Sequence, residues 1–180
     1  MFNDFTNKEH SKTNIKNILI DSYKLFIDEN NIDIENIFNI LKHEKKEHLI
    51  KSIEERNTSI NDVIQNENYF LSNLDILIFS YVNKIPLVIL STLVLSESKT
   101  NFILVNKSSN DKYYFIKIIE TESLLNKYRI FIYKENLIFD KKDILNTFYN
   151  TIEKTEQFDL VKYINNFKLK VKKPKFKILE

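Results

Sequence analysis

From Leu74 to Val82 almost every side chain is apolar, and four residues later Pro86 opens a second apolar run, Leu87-Val88-Ile89-Leu90. A helix that is hydrophobic all round has to be buried all round. Ser72, with Asp75 three residues on, has the spacing of a capping box and marks the helix start. Proline cannot continue the helix, and the short apolar run after it is typical of a central strand covered on both faces. The stretch Asn66 to Ser91 therefore predicts a buried helix feeding a buried strand.

The rest of the chain arranges itself around that unit. Between Lys12 and Glu29, apolar Ile15, Ile18, Leu19, Tyr23, Phe26 and Ile27 recur at helical spacing. Asp33 is placed to cap a second helix carrying Ile34, Ile37, Phe38 and Leu41. Leu49, Ile50 and Ile53 mark a third helix, and Ile60, Val63 and Ile64 a short fourth. After Pro86 the period changes. Asn101 to Asn106, Lys112 to Ile119, Tyr128 to Tyr133 and Leu137 to Phe139 read as strands, with turn residues between them. Asp140 is placed to cap a helix bearing Ile144, Leu145, Phe148, Tyr149 and Ile152, and a last helix carries Phe158, Val161, Ile164 and Phe167. The expected fold class is α+β: N-terminal helices, a central sheet of about five strands, then C-terminal helices. Residues 1–167 are expected to form one globular domain, with 168–180 a basic tail or edge strand.

Composition narrows the chemistry. At 180 residues, 43% hydrophobic and 29% charged, the chain is long enough to bury a core and polar enough to be globular and soluble. It has no Gly and no Cys. Phosphate-cradling loops need Gly for close backbone approach, so a P-loop and a dinucleotide fingerprint are excluded. Thiol nucleophiles, disulfides and zinc–thiolate sites are excluded with Cys. Without Gly, Asn is expected to take the turn positions at positive φ. Ile, Asn, Lys, Phe and Tyr dominate where Gly, Ala and Arg are missing or rare, which is the coding bias of an AT-rich genome. The longest apolar run, Leu87 to Leu95, is interrupted by Ser91 and Thr92 and is too short to span a membrane. No signal peptide is apparent at the N-terminus, and an intracellular, cytoplasmic location is expected.

The motifs that invite chemistry mostly resolve into structure. His43 to His48 reads HEKKEH. A zincin places its two histidines at i and i+4; here they stand at i and i+5, about 140° apart on a helix. The expectation is a solvated, charged helix end with no metal and no cofactor. His10 is the third histidine and none follows His48, so a Ser-His-Asp relay has little to draw on. Ser72, Ser91 and Thr92 read as cap and strand residues. Glu54-Glu55 and Asp140-Asp143 read as surface and cap, and no carboxyl stands out as an acid of raised pKa beside a base.

The helix–Pro–strand unit resembles part of the ovarian-tumour (OTU) cysteine-protease fold. That family opens a buried helix with an aromatic–x–x–x–[ED]–[LI] stretch, follows it with a strand of the NIPIVV type, and carries its catalytic His on a later strand beside an aromatic. Tyr69 to Ile76, Lys84 to Ile89, Phe102 to Val105 and Tyr113 to Ile116 follow that progression, and the resemblance covers Ile15 to Ile119. The family's Asp-Gly-x-Cys segment is absent, and the place of its His reads Asp111-Lys112-Tyr113. The resemblance implies a degenerate, non-enzymatic OTU-like module that binds a protein partner, with ubiquitin the natural candidate. Similar segments occur in giant-virus proteins, which suits the coding bias.

The C-terminal segment is the one pronounced charge feature. Lys168, Lys170, Lys172, Lys173, Lys175 and Lys177 bring residues 168–180 to +5 after Glu180; with the whole chain at +2, the remainder carries −3. These lysines are the candidate polyanion-binding residues, and they make a structural or nucleic-acid-associated protein the alternative function. An edge strand kept from aggregating by Lys would read the same way.

Overall fold

The computed structural model describes residues 11–54, 59–91, 102–119, 127–132 and 134–167. Helix α1 (Lys12–Asn30) starts at Ser11, whose hydroxyl accepts the Asn14 N–H at 3.2 Å, and ends where Asn31 turns left-handed at φ 50°. Asp33 caps α2 (Ile34–Leu41) as its position predicts, accepting the Glu35 N–H at 2.9 Å. A kink at Lys42–Lys46 leads into α3 (Glu47–Glu54). Helix α4 (Ile60–Gln65) is followed by the buried helix α5 (Asn73–Val82). Every residue of α5 from Leu74 to Ser80 is buried, as a helix apolar on nearly all sides requires, and Asp75 and Ser80 go inside with the apolar residues.

Pro86 then opens β1 (Leu87–Ser91). The turn before it is tied by Asn106, whose side-chain N–H groups donate to Ser80 O at 2.8 Å and Ile85 O at 3.0 Å. Ser80 O also accepts the Ile85 N–H at 2.9 Å, so Asn106 reinforces a turn the backbone already closes and pairs the Ile85 carbonyl after the helix end. Strands β2 (Phe102–Leu104), β3 (Lys112–Ile119), β4 (Lys127–Ile130) and β5 (Ile138–Asp140) complete a mixed sheet. β1 lies inside it, antiparallel to β2 and parallel to β3, with Val88 opposite Phe115. The α+β class agrees with the sequence pattern. The sheet, however, is four strands wide, in the order β2-β1-β3-β4, because β5 takes no place of its own. It pairs with the first residues of β3 while β4 pairs with the last, so the two share one edge.

Alternation along the strands divides the core. Leu87, Ile89, Tyr114, Ile116 and Ile118 join the cluster built from the N-terminal helices, α5 and α7 (Leu160–Asn166). Val88, Phe102, Leu104, Tyr113 and Phe115 meet Tyr149 and Ile152 of α6 (Asn146–Lys154) on the opposite face. Helices therefore pack on both faces of the sheet.

Two local expectations are corrected. Asp140 opens a single 3-10 turn, Lys141–Asp143, and α6 starts only at Asn146, with Leu145 at its N-cap. Leu145 thus falls outside the helical period that would have buried it, and it is 79% exposed. Asn does not monopolise the left-handed positions either: Lys45, Lys84, Asp111, Lys134 and Glu135 join Asn31 at positive φ. Each costs about 1–2 kcal/mol relative to a relaxed backbone, and the fixed elements on either side impose it.

Candidate functional site

Among the described residues, helices cover one face of the sheet only in part. Helix α6 packs over β2 and β1, and the chain entering it leaves a groove toward β3 and β5. Leu90, Phe115 and Phe139 form its floor; Phe131, Ile144, Leu145 and Phe148 form its walls. Phe115 meets Phe139 edge-on at 5.2 Å between ring centroids, and Phe148 meets Phe102 the same way at 5.4 Å. These contacts fix the walls in place. The groove encloses about 190 Å³; an apolar cavity of roughly 150 Å³ holds a benzene ring. Of its lining residues, Phe131 is 38% and Leu145 79% exposed. Its single charged lining residue is Asp143, whose carboxylate has no hydrogen-bond or ion-pair partner among the described residues.

A second feature lies on the other side of the sheet. HEKKEH is a solvated helix end only in part: His43, Lys45, Glu47 and His48 are exposed, but the chain kinks where Glu44 (φ −82°, ψ 27°) and Lys45 (φ 69°) leave helical geometry, and Lys46 is turned inward. Lys46 is completely buried. Its ammonium donates to Tyr69 Oη at 3.0 Å, Ser72 Oγ at 2.7 Å and Asp75 Oδ2 at 3.0 Å, which uses all three of its protons. Asp75 also closes the capping box on the Ser72 N–H at 2.6 Å and accepts the Tyr23 hydroxyl at 2.7 Å. Burial and the adjacent Asp75 push the phenols of Tyr23 and Tyr69 well above the ordinary tyrosine range. Glu44 accepts the Leu74 N–H at 3.1 Å, at the N-terminus of α5. Its enclosure raises its carboxyl to about 7, against the opposing pull of Lys46 and Ser72. The sequence pattern showed no such acid beside a base. Tyr69, Ser72 and Asp75, three of the residues that carry the family resemblance, are the partners of Lys46.

The remaining sequence candidates scatter. His43 packs edge-on against Phe167 at 5.4 Å, and His48 is exposed. Among the described residues no three His, Asp or Glu side chains converge as metal ligands. Asp111 accepts the Tyr149 hydroxyl, Lys112 faces Asp140 at 3.7 Å on the surface, and Tyr113 is buried. Lys168, Lys170, Lys172, Lys173, Lys175 and Lys177 lie outside the described residues, as do His10, Glu55 and Thr92. No helix among the described residues is long and apolar enough to cross a membrane. The groove went unseen in the sequence because Leu145, Phe148 and Phe139 have the same apolar character whether they fill a core or line a cleft.

The chain matches no family model, no curated protein and no solved structure.

Proposed function

We propose that the protein is a non-enzymatic protein-interaction module whose docking site is the apolar groove between β3, β5 and the start of α6. The observation that carries this reading is a preformed aromatic groove with Phe131 and Leu145 exposed among its lining residues. Its occupant is a partner segment that inserts one bulky apolar side chain and sets a lysine or arginine beside it. Asp143 supplies the charge complementarity, since it is the groove's one charged group and has no partner among the described residues. An OTU-like fold without its chemistry suits this role. Where that family's His would stand, Asp111, Lys112 and Tyr113 are taken up by a tyrosine hydroxyl, a surface carboxylate and the core.

The test is an amide-shift titration with ubiquitin, the partner the resemblance implies, and with short peptides bearing a Phe or Leu anchor next to Lys or next to Glu. Saturable shifts at Leu90, Phe115, Phe139 and Phe148 are expected with the Lys-flanked peptide, with a Kd in the micromolar to millimolar range of a small interface. They should vanish in Leu145→Asp. Equal binding of the Lys- and Glu-flanked peptides would remove Asp143 from the reading, and no saturable shift with any probe would remove the groove. Shifts with ubiquitin would name the partner class.

A further inference from the structure

The groove calls for a bulky apolar side chain with a cation beside it, and the chain carries that combination itself. Phe176 stands in Lys175-Phe176-Lys177, outside the described residues, and is the only Phe of the chain set between two lysines. Tyr128, placed between Lys127 and Arg129, is spent on β4, opposite Ile118 of β3. The groove encloses about 190 Å³, room for one aromatic ring. Asp143 is its one charged lining residue, and a lysine next to a seated ring has a flexible four-carbon stem with which to meet it. Ile178 falls on the same side of an extended segment as Phe176, and Leu145, 79% exposed, offers it apolar surface. The net charges agree: residues 168–180 carry +5 and the remainder −3.

We propose that the groove is occupied by the chain's own C-terminal segment: Phe176 seats against Phe115, Phe139 and Phe148, a neighbouring lysine pairs with Asp143, and a partner has to displace them. This rests on the groove being a docking site and adds its regulation, an autoinhibitory contact. The tether is long enough. α7 ends at Asn166, and the nine residues from Phe167 to Phe176 extend to about 30 Å. That is close to twice the radius of gyration of a 180-residue domain, about 16 Å. The chain already passes from one face of the sheet to the other within 155–159, between α6 and α7. A short tether holds its end at an effective concentration of about 1 mM. Against a Kd of about 0.1 mM, within the range of a small interface, the tail fills the groove in about nine chains of ten and weakens a partner's apparent affinity about tenfold.

The chain has no Cys, so Glu180→Cys gives the full chain a single attachment point for a nitroxide spin label. The expected result in dilute solution is broadening of the Leu90, Phe115, Phe139 and Phe148 amides, lost when Phe176→Ala is added. In the unlabelled chain, Phe176→Ala should bind the Lys-flanked Phe peptide about tenfold more tightly than wild type. Broadening spread over the whole surface, or unchanged by Phe176→Ala, would overturn the proposal. So would broadening that arises only between spin-labelled and isotope-labelled chains in a mixture, which would make a second copy the occupant. Equal peptide affinity in wild type and Phe176→Ala excludes the tail and leaves the groove as a docking site. Focused, Phe176-dependent broadening with no peptide binding to either chain keeps the tail in the groove and removes the partner reading. Should Phe176→Ala fold poorly, Asp143→Asn tests the same contact, and broadening that it leaves unchanged at low salt would count against the proposal.

Discussion

Replacing Lys46 with Met tests the interior of this protein most sharply. The thioether chain fills much the same volume, so the change removes the ammonium with little loss of packing. It leaves Asp75, which is 1% exposed, without its ion pair, and it leaves Tyr69 and Ser72 each short of a donor. Breaking a buried pair by deleting one partner costs about 3–5 kcal/mol. A domain has only about 5–15 kcal/mol in hand. With a urea slope of about 2 kcal/mol/M, the midpoint should fall by roughly 1.5–2.5 M. The assay is urea unfolding followed by far-ultraviolet circular dichroism at pH 8, above the Glu44 midpoint of about 7. Adding Glu44→Gln to Lys46→Met removes one of the two stranded carboxylates and should restore about 1 kcal/mol. A midpoint within 0.5 M of wild type (roughly 1 kcal/mol at that slope) would refute the reasoning, because Lys46 would then not be neutralising a buried charge.

Three other outcomes follow from the same structure. Glu44 binds a proton in the folded state that the unfolded chain has already released, so its stabilisation is fully present below pH 4.5 and is lost as pH rises through about 7. The Tm of wild type should therefore decline across that window relative to Glu44→Gln, and parallel curves would contradict the assignment. Ile78 is fully buried at the centre of α5, so Ile78→Asp places an unpaired charge in the core and should prevent folding; a cooperative thermal transition near the wild-type midpoint would show otherwise. Affinity for short DNA or RNA at low salt should reside in Lys168 to Lys177, since the rest of the chain is net negative. Removing residues 168–180 should abolish that binding and its salt dependence, and equal binding by the truncated chain would exclude the tail.

The elements whose physics is local could be read from the linear string. The Ser72–Asp75 cap, the all-apolar α5 and the Pro86 start of β1 stand where spacing and proline chemistry put them. So do the Asp33 cap and the full extent of β3. Each depends on neighbours within a turn or on simple alternation, and both are visible in a linear string. The sheet's width was beyond reach, because nothing in β4 or β5 states that both pair with the same edge of β3.

The fate of the charges and of the groove depends on contacts between distant segments. HEKKEH carries no local sign that its fourth residue is buried. Lys46 goes inside because Tyr69, Ser72 and Asp75, from 23 to 29 residues away, arrive together to receive it. The same convergence raises Glu44, whose ionisation depends on enclosure by distant elements. Leu145 has the periodicity of a core residue, yet the 3-10 turn before it delays the helix and turns it outward. Burial is a property of what arrives from elsewhere in the chain, and the pattern of one segment does not contain it.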